Sequence, residues 1–434
     1  MLAQMEWREQ RAFWRLLIKW LVLGGAVGVL SGTASAIFLA ALKTVTDFRV
    51  ENSVIVWLLP LAGLALGWVY TQYAGRASGG NSLVIEETHL NRAPIPRRMA
   101  PFVLIGTVWT HLFGGSAGRE GTAIQMGASL ADGLRRVLRL EGEDRRLMVL
   151  AGIAGGFGSV FGTPVAGFVF ALEVPMLGRV RYEGLIPCLV ASVVGDMVTR
   201  GMGIGHSHYP LLAETALDPL LLVKVLLAGV VCGLTALLFV EMTETIKALH
   251  RRYVPYAPLR PLIGGVVVVV LMLLVGTRDY LGLSLPLIQN TMNGTGVDTF
   301  AFLLKVTFTA VTLGSGFLGG EVTPLFVMGS TLGYTVGRVL GVDPAFMAAL
   351  GFVAVFAGAS NTPLACTMMG VELFGGGAVL YLAVACFVAY VASGHRGIYG
   401  TQRIGAPKTP DLVSLPEDTL HDVAQRRGNS NGHP

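Results

Sequence analysis

Apolar stretches long enough to cross a bilayer, about 17–25 residues, recur along almost the whole chain, at 15–42, 53–71, 219–240, 261–276 and 376–394. Within hydrocarbon every backbone N–H and C=O must be satisfied inside the protein. A chain carrying this many such stretches is therefore committed to an all-α, polytopic membrane fold. Composition agrees: 53% of the 434 residues are hydrophobic and 14% are charged, where a soluble domain carries roughly a quarter charged residues. Further apolar stretches, around 100–113, 123–134 and 300–318, are shorter or broken by Gly and Pro. Short broken and re-entrant helices of this kind build binding sites at the membrane midplane.

The net charge of +5 comes mostly from loop arginines, including Arg97, Arg98, Arg135, Arg136, Arg139, Arg145, Arg146, Arg251 and Arg252. Between hydrophobic segments these mark cytoplasmic loops rather than a nucleic-acid surface. Cys188, Cys232, Cys366 and Cys386 lie inside apolar segments without metal-ligand spacing and read as small core residues; no metal or cofactor is expected. Residues 1–14, with Trp7, Arg8, Arg11 and Trp14, read as an interfacial segment with a cytoplasmic N-terminus. They lead into a hydrophobic stretch too long for a signal peptide. The polar tail 403–434 shows no apolar period and is expected to be disordered and cytoplasmic.

The chain also resembles itself. Gly118-Arg119-Glu120-Gly121-Thr122 is followed by Met126-Gly127-Ala128-Ser129-Leu130, Thr163-Pro164 and Glu173; Gly319-Gly320-Glu321-Val322-Thr323-Pro324 is followed by Met328-Gly329-Ser330-Thr331-Leu332, Thr362-Pro363 and Glu372. Four elements recur in order, and the Thr-to-Glu spacing is the same in both. This divides the chain into a first membrane repeat, 15–200, and a second, 219–400, with a substrate site expected where they meet.

An ionised side chain in a membrane interior is costly without a partner or an aqueous cavity, which makes it a functional candidate. Glu120 and Glu321 hold matching places in the two repeats, each entering an apolar helix from a glycine-rich turn. The N-terminus of a helix is an anion site. A carboxylate there competes with an external anion when charged and vacates the place when protonated, so it can couple the two fluxes. Arg119 is expected to pair with a buried acid such as Glu173 or Glu372, and those two acids are expected to be structural. A third glycine break, Gly79-Gly80-Asn81-Ser82, offers an amide donor at Asn81 and a hydroxyl at Ser82. A fourth contains Tyr399, readable as an interfacial anchor or as an O–H donor to the pathway. Gly114-Gly115-Ser116-Ala117-Gly118 also fits the Gly-x-Ser-x-Gly pattern of serine hydrolases, with His206 and His208 as the nearest candidate bases. That pattern arises easily in a chain with 57 glycines, and both histidines fall in a polar loop. No enzymatic activity is expected.

These segments resemble the CLC family of anion channels and proton-coupled anion antiporters over nearly the whole chain. Gly118-Arg119-Glu120-Gly121-Thr122 is similar to the family's G-R-E-G-P gate segment, Gly316-Phe317-Leu318-Gly319-Gly320-Glu321 to its G-x-F-x-P region, Gly80-Asn81-Ser82-Leu83-Val84 to its G-S-G-I-P segment, and Tyr399 stands near its inner-gate tyrosine. The resemblance implies a CLC fold of two inverted helical repeats with about eighteen helices, a homodimer with one pathway per subunit, and a bacterial inner-membrane location with both termini cytoplasmic. Four departures are informative. Asn81 replaces the family's chloride-holding serine, and Thr122 replaces the proline after Glu-Gly. The Gly-Glu-Val-Thr-Pro segment brings in Glu321 and Thr323. Val174 stands where chloride/proton exchangers carry a second glutamate. Together they resemble the bacterial fluoride-exporting branch, which implies fluoride/proton antiport. In that reading Glu120 gates and carries the proton, Glu321 lies on the proton and anion pathway, and Asn81, Ser82, Gly121, Thr122, Thr323 and Tyr399 bind the anion. A chloride/proton antiporter or a passive anion channel of the same family is the alternative.

Overall fold

The computed structural model describes residues 2–90, 93–409 and 418–430, with side chains from residue 10 onward and to residue 426 in the last segment. The side chains of Trp7 and Arg8, and the tail residues 410–417 and 431–434, lie outside the described residues. The first half contains α1 (Leu2–Glu51), α2 (Leu59–Tyr73), α3 (Gly80–Leu90), α4 (Met99–Leu112), α5 (Glu120–Leu138), α6 (Glu143–Phe161), α7 (Pro164–Glu173) and α8 (Leu185–Gly201). The second contains α9 (Pro219–Tyr253), α10 (Leu259–Val275), α11 (Leu285–Met292), α12 (Ala301–Gly314), α13 (Val322–Leu340), α14 (Pro344–Ser360), α15 (Pro363–Phe374) and α16 (Val379–Ala392). A last helix, α17 (Leu420–Ser430), and one two-stranded parallel pairing, β1 (Met176–Leu177) with β2 (Arg403–Ile404), complete the described residues. Of the interfacial segment expected at 1–14, residues 2–14 form the start of α1.

The eight-plus-eight correspondence extends to packing. The contacts of α5 with α6, α6 with α8, α1 with α8 and α4 with α5 recur as α13 with α14, α14 with α16, α9 with α16 and α12 with α13. Across the molecule equivalent helices meet each other, α2 on α10, α5 on α13 and α7 on α15, as a two-fold relation requires. Local chemistry repeats as well. Proline opens both α7 and α15 after a non-helical threonine, Thr163 or Thr362, because proline fixes the first helical φ and restricts the residue before it. A left-handed residue closes α6 (Gly162) and α14 (Asn361).

The halves are cross-tied. The Glu173 carboxylate, ending α7, accepts from the Leu364 and Ala365 amides at the start of α15, at 3.1 and 2.9 Å. Glu372, ending α15, accepts from Val165 and Ala166 at the start of α7, at 2.9 and 2.7 Å. Each acid satisfies otherwise orphaned first-turn donors of the other half's helix. The segments that trail the repeats also cross over. Residues after α8 bond to the second half through Leu212 N to Phe374 O and Thr215 N to Gly377 O, while residues after α16 bond to the first through Arg403 N to Pro175 O and Gly405 N to Leu177 O.

Four helical spans, Gln10–Glu51, Ser53–Tyr73, Tyr182–Gly201 and Pro219–Tyr253, are long and apolar enough to cross a membrane, and shorter apolar helices lie among them. Large apolar side chains cover their outer faces, such as Leu220, Val223, Leu227 and Leu234 on α9. The tail corrects one expectation. Leu420 and Val423, one helical turn apart, are buried with Leu177 and Ile404, so the tail's few apolar residues suffice to fold α17 against β1 and β2.

Candidate functional site

The start of α5 and the start of α13 meet at the centre of the molecule. Gly118 and Gly320 exchange backbone hydrogen bonds, N to O, at 2.6 and 2.8 Å. Their closeness demands glycine: a Cβ on Gly118 would lie 2.8 Å from Pro324 Cδ and 2.9 Å from Gly320 O, and one on Gly320 would lie 2.8 Å from Gly121 N. This bridge fixes the register of the repeat. Met126 pairs with Met328 by the same interval as Gly118 with Gly320. Glu120 and Glu321 are one residue out of that register. Glu120 is the first residue of α5, whereas Glu321 is the N-cap of α13 and matches Arg119. The matching places read from the Gly-x-Glu spacing are corrected accordingly.

Glu120 is fully buried, yet its carboxylate is well supplied with donors. Oε2 accepts from the backbone N–H of Thr323 at 2.9 Å and of Arg119 at 3.1 Å, and Oε1 accepts from the Thr323 hydroxyl. The Arg119 guanidinium lies 3.4 Å from Oε1. The Glu120 carboxylate thus occupies the anion place at the head of the other half's helix. Arg119 serves Glu120, not Glu173 or Glu372, which are engaged in the reciprocal caps.

The other expected residues divide. Thr323 contacts Glu120 directly. Gly121 lies between the halves, where a Cβ would come within 2.7 Å of Asn81 Nδ2 and 3.5 Å of Glu321 Oε2. Asn81 Oδ1, Glu321 Oε2 and the Tyr399 hydroxyl are buried polar atoms with no hydrogen-bond partner among the described residues. Tyr399 is only 1% exposed and packs edge-on to Phe170, which removes the interfacial-anchor reading. Ser82 lies within the first turn of α3, and its carbonyl accepts from Thr401 Oγ1 at 2.9 Å. Thr122 is the correction among the anion-binding residues: its hydroxyl pairs with Thr107 on α4 at 2.7 Å, so it braces α5 from behind. Val174 is buried and caps α7.

An aromatic wall escaped the sequence reading. Phe161, Phe326, Ser207 and Tyr209 line a cavity beside Arg119, Glu120 and Thr323. From there Phe326 stacks on Phe352 at 4.0 Å between centroids, Phe356 touches both Phe326 and Phe170, and Phe157 stacks on Phe170 at 4.3 Å. The row ends at Tyr399. The i,i+4 pairs Phe157/Phe161 and Phe352/Phe356 were its only signal, and helix cores commonly show that spacing.

The Gly-x-Ser-x-Gly pattern does not assemble a serine–histidine pair. Ser116 is fully buried, and its hydroxyl bonds to Thr309 Oγ1 and to Lys305 Nζ, at 3.0 and 2.9 Å. His206 faces Asp196 at 3.3 Å, and His208 is exposed.

Against known proteins, the sequence profile of the voltage-gated chloride channel family matches residues 62–394. The chain belongs to this family, the CLC proteins. One CLC relative, named a chloride/fluoride channel protein, from Pseudomonas syringae pv. tomato, is 45% identical over 96% of this chain and 93% of its own. The H(+)/Cl(-) exchange transporter ClcA of Vibrio vulnificus is 27% identical over 81% of each chain. Among solved CLC structures, a CLC-type fluoride/proton antiporter superposes with a TM-score of 0.87 at 34% identity, covering 89% of this chain and 98% of its own. A slow cyanobacterial Cl-/H+ antiporter superposes at 0.76 and 20% identity, covering 95% and 98%, which speaks for the fold alone. The CLC fold of two inverted helical repeats, with broken helices meeting at the centre, is therefore the architecture of this membrane protein.

Proposed function

We propose that the chain is a fluoride/proton antiporter that exports fluoride in exchange for protons, with Glu120 as gate and proton carrier. The observation that carries this reading is the capture of the Glu120 carboxylate by the N–H and hydroxyl of Thr323. Two compact donors converge where a small, strongly hydrogen-bonding anion loses its water. Charged, Glu120 fills that place; protonated, it no longer competes for both donors and swings aside, leaving them to fluoride. The buried Asn81 amide and the unpartnered Tyr399 hydroxyl supply polar contacts further along the aromatic wall. Glu321, with one carboxylate oxygen unpartnered, serves as the second proton site in place of Val174, and Gly121 keeps Asn81, Glu321 and the bridge close together. Transport needs no bond-making chemistry beyond proton transfer, so no enzymatic activity is assigned.

The chain works in a bacterial inner membrane with both termini cytoplasmic. Lys19, in the first half of α1, pairs with Asp144 at 2.6 Å in the arginine-rich joint of α5 and α6. Arg146 of that joint donates to His89 O at 2.9 Å, His89 contacts Pro175 O at 2.6 Å, and Arg403 of the tail bonds to the same Pro175 carbonyl. Lys19 of α1 and the segment after α16 thus meet the arginine-rich face, whose charge supports reading both termini as cytoplasmic. A homodimer is what the resemblance to the family implies, and cross-linking in native membranes tests it.

Paired fluoride and chloride efflux from proteoliposomes tests the substrate. Fluoride efflux that drives uphill proton uptake, with little chloride movement, is expected. Substantial proton-coupled chloride flux would make the chain a chloride/proton antiporter, and fluoride flux that moves no protons would make it a channel.

A further inference from the structure

The Tyr399 hydroxyl has no partner among the described residues. Among the described residues nothing polar holds the ring at its far end, and Phe170 meets it edge-on at 6.3 Å between centroids. The buried ring is held by apolar packing in the core, so its position also depends on its own backbone, which the next few residues of the chain hold in place.

Gln402 is fully buried. Its Nε2 donates to Val174 O at 2.8 Å and to Ser360 O at 2.9 Å, and its Oε1 accepts from Asn361 Nδ2 at 3.0 Å. One amide thus ties the end of α7, in the first half, to the end of α14, in the second. Gln402 N donates to Tyr399 O at 3.0 Å, Ile398 N donates to Ala359 O at 2.9 Å, and Thr401 Oγ1 reaches the carbonyl of Ser82. The segment is braced in turn from behind. Leu420 N and His421 N donate to Gln402 O and Gly400 O, both at 3.0 Å, and Ile404 N donates to Asp418 O at 2.9 Å. Leu420 and Val423 bury their side chains against Leu177 and Ile404. Asp422 accepts from Thr419 N and Oγ1 at 2.8 and 2.7 Å at the start of α17, and Arg426 pairs with Asp418. The Gln402 amide, buried with its donors and acceptor engaged, specifies one geometry.

We infer that α17 and Gln402 form a clasp that positions Tyr399, so that a helix outside the membrane sets how tightly proton movement is coupled to fluoride. Gln402 and Leu420 are positioning residues; neither contacts the anion. The inference rests on the reading of Tyr399 as part of the pathway.

The test is the number of protons moved per fluoride in proteoliposomes of the full chain carrying Leu420→Asp with Val423→Asp, which undocks α17 while leaving the membrane helices untouched. The expected result is a roughly tenfold loss of proton coupling, the range of a modest inter-site coupling, with fluoride flux retained. Tyr399→Ala is the companion variant, and its loss of coupling should not add to that of the α17 pair. Wild-type coupling in Tyr399→Ala would overturn the pathway reading. Uncoupling in Tyr399→Ala beside wild-type coupling in the α17 pair would overturn the clasp alone. Should the α17 pair aggregate on purification, Gln402→Asn, one methylene shorter, carries the same comparison. It should lower coupling in a protein that remains monodisperse, and wild-type coupling there would overturn the clasp.

Discussion

The start of α5 and the start of α13 are two versions of one turn, and they differ by the placement of a single carboxylate. In α5 the acid is the first helical residue, and its oxygens reach across to the Thr323 N–H and hydroxyl. In α13 it is one residue earlier, at the N-cap, and Oε2 meets no donor among the described residues. Successive positions at a helix start point about 100° apart around the axis. A one-residue shift therefore turns Glu321 Oε2 toward Gly121 of the first half, away from any donor among the described residues. In the proposed mechanism this near-repeat gives two carboxylates with different jobs, where strict symmetry would give two rivals for one place.

The largest effect is expected from neutralising these acids in turn. Glu120→Gln should reduce fluoride-driven proton uptake to the liposome background, while Glu321→Gln should slow proton delivery and leave fluoride binding near wild type. Identical behaviour in the two variants, read as proton and fluoride flux, would break the comparison. Next, Thr323→Val removes the hydroxyl from the anion place. Hydrogen bonds to charged groups contribute about 1.5–3 kcal/mol, so fluoride binding measured by calorimetry should weaken by roughly 10–100-fold. Gly118→Ala and Gly320→Ala each force a Cβ into backbone across the bridge. Overpacking of this kind costs about 1–3 kcal/mol, and the two variants should lower thermal stability in detergent alike; a tolerated alanine at either position would show the bridge to be one-sided. The smallest effects belong to the reciprocal caps. Glu173→Gln and Glu372→Gln should each cost about 0.5–2 kcal/mol, as lost helix caps do, and unequal losses in chemical denaturation would reveal an asymmetry between α7 and α15.

Much of this was legible in the sequence. The apolar stretches dictated membrane helices, and the recurrence of Met-Gly-small-small-Leu, Thr-Pro and Glu located equivalent helices, because those residues serve close packing, a fixed first turn and a cap. The register of Glu321 was not legible, since a Gly-x-Glu spacing can be matched without the backbone bridge that sets the alignment. Nor was the partner of Arg119: burial demands an acid but does not say which, and the adjacent residue in the chain supplied it. Thr122 misled for a similar reason, because residue type identifies a donor but not its direction. The tail looked disordered because its scattered apolar residues make no periodic pattern on their own; Leu420 and Val423 fold with Ile404 against Leu177, far away in sequence.

The exchanged caps also have a consequence in time. The Val165 amide receives its partner from a residue 207 positions later in the chain. At synthesis rates of about 5–20 residues per second, the start of α7 therefore waits roughly 10–40 s in the nascent protein before Glu372 exists. Until then the half-made chain presents a bare helix end at the join, and whatever shields that end during insertion governs the yield of folded transporter.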